Sequence, residues 1–490
     1  MKQTKQAKEP SVKLNMIMNA ILTMSSFLFP LITFPYISRV ILPAGTGKIT
    51  FATSVVTYFS MFAQLGIPTY GVKACARVRD DKVELSRVTH EILFINIITC
   101  VISYVALFVS IPFVPKFRQE KALLVIISST ILLTAIGVEW LYKALEQYTY
   151  ITVRSIIFKF IALIAMFVLI HKESDYVIYG AITIFASVAS NLLNFINLRK
   201  LIILKPVGGY NLRRHMKMIL IYFAMSVATT IYTNLDNVML GFMKTNEDVG
   251  YYSAAVKIKN LTVSVVTSAS TVLLPRASYY VDNGRMEKFH SIVKKTMNCI
   301  LLMAIPMAVY FILFAREGIL LLSGKAFEGA IVPMQIIMPT LIFMGITNVL
   351  GIQTMIPLGM ERQVLYSEIA GAIVDLIINI ILIPRMASSG AAIGTLAAEI
   401  VVFIWQYMTL KYTAKSMFTD VRWGLLAMAV ILGSVSCIWV KLFKLSSFIA
   451  LVISAMIFFG IYGIVLLLGK EQLVTEIWGQ IFNKIKRSTK

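Results

Sequence analysis

Residues 14–39 read LNMIMNAILTMSSFLFPLITFPYISR, twenty-six positions whose only charge, Arg39, stands at the end. A helix rises 1.5 Å per residue, so this stretch is long enough to cross the roughly 30 Å hydrocarbon core of a bilayer. Its apolar part is too long for a signal-peptide core and no small-residue cleavage site follows, which predicts a retained membrane helix. Thirteen further segments read the same way: 48–72, 92–114, 121–141, 150–170, 176–197, 216–241, 250–275, 296–315, 331–356, 363–384, 390–410, 423–440 and 447–468. The composition agrees. Hydrophobic residues make up 58% of the 490 and charged ones 14%, against about 25% charged in a soluble fold. The expected class is an all-α polytopic membrane protein of fourteen transmembrane helices.

The chain nevertheless carries 46 Lys+Arg against 24 Asp+Glu, a net charge of +22. A nucleic-acid-binding protein would concentrate such charge in a soluble basic domain, and none is visible. Sorting it by membrane side explains it instead. With the N-terminus inside, 31 basic residues fall on cytoplasmic segments and 12 on outer ones, while Lys159, Lys257 and Lys259 lie within spans. The positive-inside rule then places both termini in the cytoplasm. The loops are too short to house a soluble catalytic domain of about 50 residues. The four cysteines (Cys75, Cys100, Cys299, Cys437) show no CxxC or metal spacing and read as packing residues. Gly45–Thr46–Gly47–Lys48 lacks the phosphate-loop spacing and reads as a turn. Trp140, Tyr142, Trp423 and Trp478 read as interfacial anchors. Glu139 and Lys143, at i, i+4, read as a local ion pair, with Glu146 three residues beyond Lys143.

A six-helix unit recurs. Gly47 and Ser54 correspond to Gly250 and Lys257, Gly137–Val138–Glu139 to Gly351–Ile352–Gln353, and Gly180–Ala181–Ile182 to Gly390–Ala391–Ala392. Six helices separate the copies, so both have one orientation, which suits a transporter that rocks two lobes about a central site. The expected organisation is an N-terminal six-helix lobe (1–205), a C-terminal six-helix lobe (206–412) in parallel pseudo-repeat, and two extra helices with a basic tail (413–490).

Ionisable groups inside membrane helices cost about 2.5–3.5 kcal/mol on insertion scales and usually face a cavity. Lys257 and Lys259 in span eight, Lys159 and Arg154 in span five, and Arg39 at the end of span one form a cationic candidate set for a phosphorylated substrate. Snorkelling to the interface is the competing reading for Arg39 and Arg154 and, with less weight, for Lys257 and Lys259. A second set is rich in oxygen. Asp236, Asn379 and Thr395 share one depth by counting, and Asp375 precedes Asn379 by one turn. Such hard ligands suit a small cation such as Na+. A polar packing cluster is the alternative, and Glu399 could instead share a proton with Asp375, which leaves H+ as a competing coupling ion.

The run Met24–Ser25–Ser26–Phe27–Leu28–Phe29–Pro30–Leu31–Ile32–Thr33–Phe34–Pro35–Tyr36–Ile37–Ser38–Arg39 resembles the first span of Wzx-type polysaccharide flippases. So do Phe51–Ser54, Gln64–Gly71, Asn234–Gly241, Gly250–Ala255 and Gly390–Thr395. The resemblance covers essentially the whole chain and implies the multidrug/oligosaccharidyl-lipid/polysaccharide exporter superfamily. It implies two six-helix lobes around a V-shaped cavity and a non-enzymatic flippase in the bacterial cytoplasmic membrane. Its cargo would be undecaprenyl-diphosphate carrying an O-antigen or capsule repeat unit, moved from inner to outer leaflet. A monomer working beside a polysaccharide polymerase and chain-length proteins is expected, with no nucleic acid and no cofactor beyond a coupling Na+ or H+. In the similar lipid II flippases, arginines of spans one, two and eight line the cavity, and Arg39 occupies a matching stretch. Their sodium site uses residues of spans seven, eleven and twelve; here the acid and amide of span eleven, Asp375 and Asn379, stand in swapped order. The competing functions are a drug/cation antiporter of the same superfamily, for which twelve spans are usual, and a membrane glycosyl-polymerase or ligase, which would need a large catalytic outer loop.

Overall fold

The computed structural model describes residues 12–271, 274–443, 445–476 and 479, and these are overwhelmingly helical. Contacts divide the chain into two compact units, Met1–Phe242 and Met243–Lys490. The first is built from α1 (Val12–Gln64), α2 (Ile67–Ala76), α3 (Lys82–Phe113), α4 (Pro115–Gln119), α5 (Lys121–Gly137), α6 (Glu139–Ala144), α7 (Tyr148–Leu169), α8 (Tyr176–Ile184), α9 (Asn191–Leu201) and α10 (Arg213–Met243). The second contains α11 (Asn246–Thr271), α12 (Leu274–Asp282), α13 (Met286–Leu313), α14 (Ala315–Leu322), α15 (Ile331–Ile337), α16 (Thr340–Thr347), α17 (Glu361–Leu410), α18 (Tyr412–Met417), α19 (Trp423–Ile438) and α20 (Ser447–Leu468).

The fourteen expected segments are mainly helical where described, with breaks inside them at Leu65–Gly66, Val138, Ser190 and Met338–Pro339. Nine helices among the described residues are long and apolar enough to cross a membrane, ten when the bent pair Lys325–Ile337 and Thr340–Met355 is taken as one span. That is fewer than fourteen partly because two of them are double length. The 53 residues of α1 would extend about 80 Å if straight, but Leu42 (φ 62°, ψ 175°) breaks it. Pro43 follows and drives the residue before it out of the helical region. Ala387 (φ 49°, ψ −126°) likewise breaks α17, three residues after Pro384. Both breaks lie in expected connections. The bent pair turns by 46° beside Pro339.

Local chemistry sets several other ends. The Asp81 carboxylate accepts from the backbone N–H groups of Val83 (2.8 Å) and Glu84 (3.1 Å), capping α3. Gly66 adopts the left-handed φ of 73° that lets α1 turn into α2, with Pro68 in the first turn. Gly45–Thr46–Gly47–Lys48, expected as a turn, is helical instead, lying in the turns that follow Pro43. The Lys48 ammonium pairs with Glu120 at 3.1 Å and lies 4.4 Å from the Tyr176 ring centre.

In the first unit α10 is tied to its predecessors: Ile219 packs with Ile67, Val88, Ile92 and Tyr142 in one buried cluster. The sequence placed a lobe boundary at 205/206, before this helix. In the second unit, α19 and α20 share the main core. Leu426, Ala429, Val430 and Leu466 are buried with Phe289, Met297, Leu301 and Leu350, and the Tyr462 hydroxyl donates to the Leu302 carbonyl at 2.7 Å. Large apolar side chains stay exposed elsewhere, such as Phe113, Ile102, Val435 and Met456, a surface that hydrocarbon rather than water would cover. Trp140 and Tyr142 are corrections to the interfacial reading, because both are buried. The Trp140 indole covers Gly71, where a β-carbon would come within 2.7 Å of the ring, and the Tyr142 hydroxyl donates to the Asn194 carbonyl. Trp423 is half exposed, and Trp478 lies outside the described residues.

One of the three repeat matches shares a local role. At Gly137 a β-carbon would stand 2.5 Å from the Asn191 amide carbon, and at Gly351 it would stand 3.0 Å from the Gln406 amide nitrogen. Each glycine thus admits an amide from a later helix of its own unit. The third match differs, since Gly180 faces the Leu123 side chain whereas Gly390 abuts the Leu382–Ile383 backbone.

Candidate substrate and coupling sites

Arg154 is almost fully buried on α7. Its guanidinium donates to the Ser190 hydroxyl, to Asn191 Oδ1 at 3.1 Å and to Glu139 Oε2 at 3.4 Å, so it joins three helical segments. Its Nε has no hydrogen-bond partner among the described residues. Arg154 also lines a cavity of about 640 Å³ whose walls are mostly apolar, including Leu14, Val153, Ile157 and Phe158, with Asn15 and Glu146 as further polar members. A guanidinium fork beside an apolar wall can hold a phosphate next to a hydrocarbon chain. Lys159, a little over one turn further along α7, donates from Nζ to the Ser25 and Ser26 hydroxyls, both at 2.9 Å. Arg39 is exposed, and its guanidinium folds back onto the Pro35 carbonyl. In the second unit, Lys259 is buried on α11 and Lys257 half-buried. The expected cations therefore fall in two groups, Arg39, Arg154 and Lys159 in one unit and the lysine pair in the other.

Glu139 pairs with Lys143 at 2.9 Å, as the i, i+4 spacing predicts, and also with Arg154. Glu146 turns away from Lys143 and pairs with Arg79 at 3.1 Å.

The oxygen-rich set divides likewise. Asp236 is buried on α10 in the first unit. Asp375, Asn379, Thr395 and Glu399 all lie on α17 in the second, on either side of the Ala387 break. Gly394 brings the two arms together. A β-carbon there would stand 2.4 Å from Asn379 Oδ1 and 2.7 Å from Asp375 Oδ1, so only glycine leaves those oxygens their positions. The Thr395 hydroxyl contacts the Ala391 carbonyl (3.0 Å) and the Tyr252 hydroxyl (2.8 Å). Asp375, Asn379 and Glu399 are nearly inaccessible. Oxygen donors such as the Asp375 and Asn379 side chains can hold a small hard cation, and a buried carboxylate can hold a proton. Among the described residues no group of three or more His, Cys, Asp and Glu is placed to hold a metal ion, and the four cysteines are free thiols.

Sequence reasoning missed one charged network entirely. Glu91 on α3 is fully buried. Its Oε2 meets Arg214 Nη2 at 2.6 Å, Arg214 Nε at 2.9 Å and His215 Nε2 at 2.6 Å, while Oε1 accepts from the Asn211 N–H at 2.6 Å. Glu84 extends it to Arg214 (2.9 Å) and Arg87. Glu91 and Arg214 lie 123 residues apart, so no local spacing points to the pair.

Many spans, lipid-suited surfaces and acids and bases buried inside helices define an integral membrane protein of the polytopic helical transporter type. A model of the polysaccharide biosynthesis protein family matches residues 12–281, more than half of the chain, and the chain belongs to that family. The MatE family also matches, over residues 222–381. Among curated proteins, a putative O-antigen transporter of Escherichia coli (strain K12) is 24% identical over 398 residues, 80% of this chain and 95% of the relative. A putative O-antigen transporter of Shigella dysenteriae is 22% identical over 82% of this chain and all of the relative. Among solved structures, the lipid II flippase MurJ in an inward closed conformation superposes with a TM-score of 0.71 at 18% identity, covering 94% of this chain and all of that one. An inward-facing MATE family transporter of the MOP superfamily gives 0.57 at 14% identity, over 82% of this chain and 99% of that one. These likenesses establish the fold and place the chain in the multidrug/oligosaccharidyl-lipid/polysaccharide exporter superfamily.

Proposed function

We propose that the protein flips undecaprenyl-diphosphate-linked oligosaccharide units from the inner to the outer leaflet of the bacterial cytoplasmic membrane. The observation that carries this reading is the match to O-antigen transporters over nearly their whole length. The physical task fits the residues. A diphosphate needs cations in a low-dielectric interior, and the polyprenyl tail needs an apolar flank; Arg154 on its largely apolar cavity supplies both. Fourteen spans with both termini inside, and alternating access of two lobes, complete the proposal. Coupling is to Na+ or H+ at Asp375, Asn379, Thr395 and Glu399, with Asp236 as a separate candidate acid. The flippase acts as a monomer that hands its product to a polymerase and chain-length proteins.

Reconstitution tests it. Proteoliposomes carrying fluorescent undecaprenyl-diphosphate oligosaccharide in the inner leaflet should expose it to an impermeant glycosidase only when the protein is present. Exposure equal to that of empty liposomes would refute the reading. The MatE match favours a second one, drug/cation antiport. Proton- or sodium-driven efflux of a cationic dye, without lipid flipping, would establish that alternative.

A further inference from the structure

We propose that a neutral, hydroxyl-lined pocket within the first unit binds the pyranose ring next to the diphosphate, and so reads the sugar of the cargo. The proposal rests on the flippase reading above. The pocket, of about 270 Å³, lies among α1, α2, α5 and α10. Thr53, Thr57, Ser60 and Gln64 supply one wall. Their spacing of four, three and four residues puts all of them on one face of α1, a polar stripe three turns long in an apolar helix. Ser226 and Thr230, one turn apart on α10, contribute from another side, and Thr130 from α5.

Two atoms show that this stripe is more than helix decoration. Hydroxyls in membrane helices usually bond back to their own helix, as Thr57 does to the Thr53 carbonyl at 2.8 Å. Gln64 Nε2 and Thr130 Oγ1 do not: both are buried without a hydrogen-bond partner among the described residues. Gln64 is only 8% exposed, and a buried polar group left unsatisfied is costly in a membrane, where no water replaces the missing bond. Both residues border the pocket, and a small side-chain rotation would turn the amide and the hydroxyl from its closed wall towards whatever fills it.

The chemistry of the lining selects the occupant. No charged side chain borders the pocket, which disfavours a diphosphate or a metal ion. Hydroxyls and an amide offer donors and acceptors in equal measure, as sugar hydroxyls require. Val56, Met61 and Ile127 supply apolar surface for the C–H face of a ring. At ≈30 Å³ per water the volume equals about nine waters, and it falls just below the usual range of ligand pockets. That is room for one sugar ring and not for a whole repeat unit.

The test uses the full-length protein in nanodiscs, with undecaprenyl-diphosphate, bare or carrying N-acetylglucosamine or galactose, as probes. Wild type should bind at least one glycosylated lipid about tenfold more tightly than the bare one, the effect of one or two hydrogen bonds. Gln64→Leu and Thr57→Val should bring that ratio towards one with bare-lipid affinity unchanged, which also reports intact folding; Thr57→Ser should keep the ratio. Equal wild-type affinity for all three lipids, or an unchanged ratio in both variants, would mean a hydration pocket only and overturn the proposal while leaving the flippase reading intact. No binding of any probe to wild type would remove both.

Discussion

Glu91 and His215, 124 residues apart, meet at 2.6 Å between a carboxylate with no exposed surface and an imidazole that is almost as deeply buried. An ionised carboxylate can only accept, so the proton of this bond resides on His215 Nε2. On the other side of the ring, His215 Nδ1 lies 2.7 Å from the Tyr70 hydroxyl. Arg214 adds its own donors to Glu91, and the network clamps the start of α10 onto α2 and α3. It is a physical reason why α10 groups with the helices before it.

Removing one partner of a buried ion pair typically costs about 3–5 kcal/mol, because the other charge is left uncompensated. Glu91→Ala should therefore lower the thermal unfolding temperature in detergent far more than Glu84→Ala, whose carboxylate is 23% exposed. Equal shifts would show that the clamp contributes little.

Arg154 is both an anchor and a candidate phosphate ligand, and two substitutions separate these roles. Arg154→Lys keeps the charge but loses the fork that reaches Ser190, Asn191 and Glu139 at once. Flipping per folded molecule should fall about tenfold or more, the effect of losing about 1.4 kcal/mol or more. Ser190→Ala removes one anchor partner and should lower stability with flipping per molecule retained. If Arg154→Lys flips normally, Arg154 is an anchor only.

Charge reversal tests the other cations. Lys257→Glu and Arg39→Glu should each abolish polymer export at unchanged protein level, and Lys159→Gln should reduce it. Quantitative blotting beside export separates transport from folding, and normal export in both reversals would remove the cationic cavity from the mechanism.

Gly394 offers a test of coupling that leaves both carboxylates in place. The methyl group of Gly394→Ala would displace the Asp375 and Asn379 oxygens, at an overpacking cost of about 1–3 kcal/mol. Flipping driven by a sodium gradient or by a proton gradient, each imposed alone, should lose its dependence on one of them in Gly394→Ala and in Asp375→Asn. Full dependence in both variants would place the coupling ion elsewhere, with Asp236→Ala the next variant to measure.

Legibility in the sequence followed distance along the chain. Glu139–Lys143 and the stacking of Asp375 with Asn379 are one-turn relationships, set by the 3.6-residue period, and both could be read directly. The segments 14–39 and 447–468 declare themselves because a long, mainly apolar run free of interior charge is stable as a membrane helix whatever it packs against. Trp140 was misread for the opposite reason. An aromatic near the end of a span looks alike at an interface or in a core, and only its contact with Gly71 distinguishes the two.

The sequence by itself thus determined the solvent of this protein, its helical class and its family, since these depend on composition, period and local pattern. The tertiary structure alone decided that Glu91 belongs to Arg214 and His215, that Gly394 shapes the surroundings of Asp375 and Asn379, and that Gln64 opens into a hydroxyl-lined pocket. These are meetings between helices distant in sequence. Many helix pairings would bury the same apolar faces equally well, whereas few satisfy each buried charge and amide, and that choice is made only once the chain has packed.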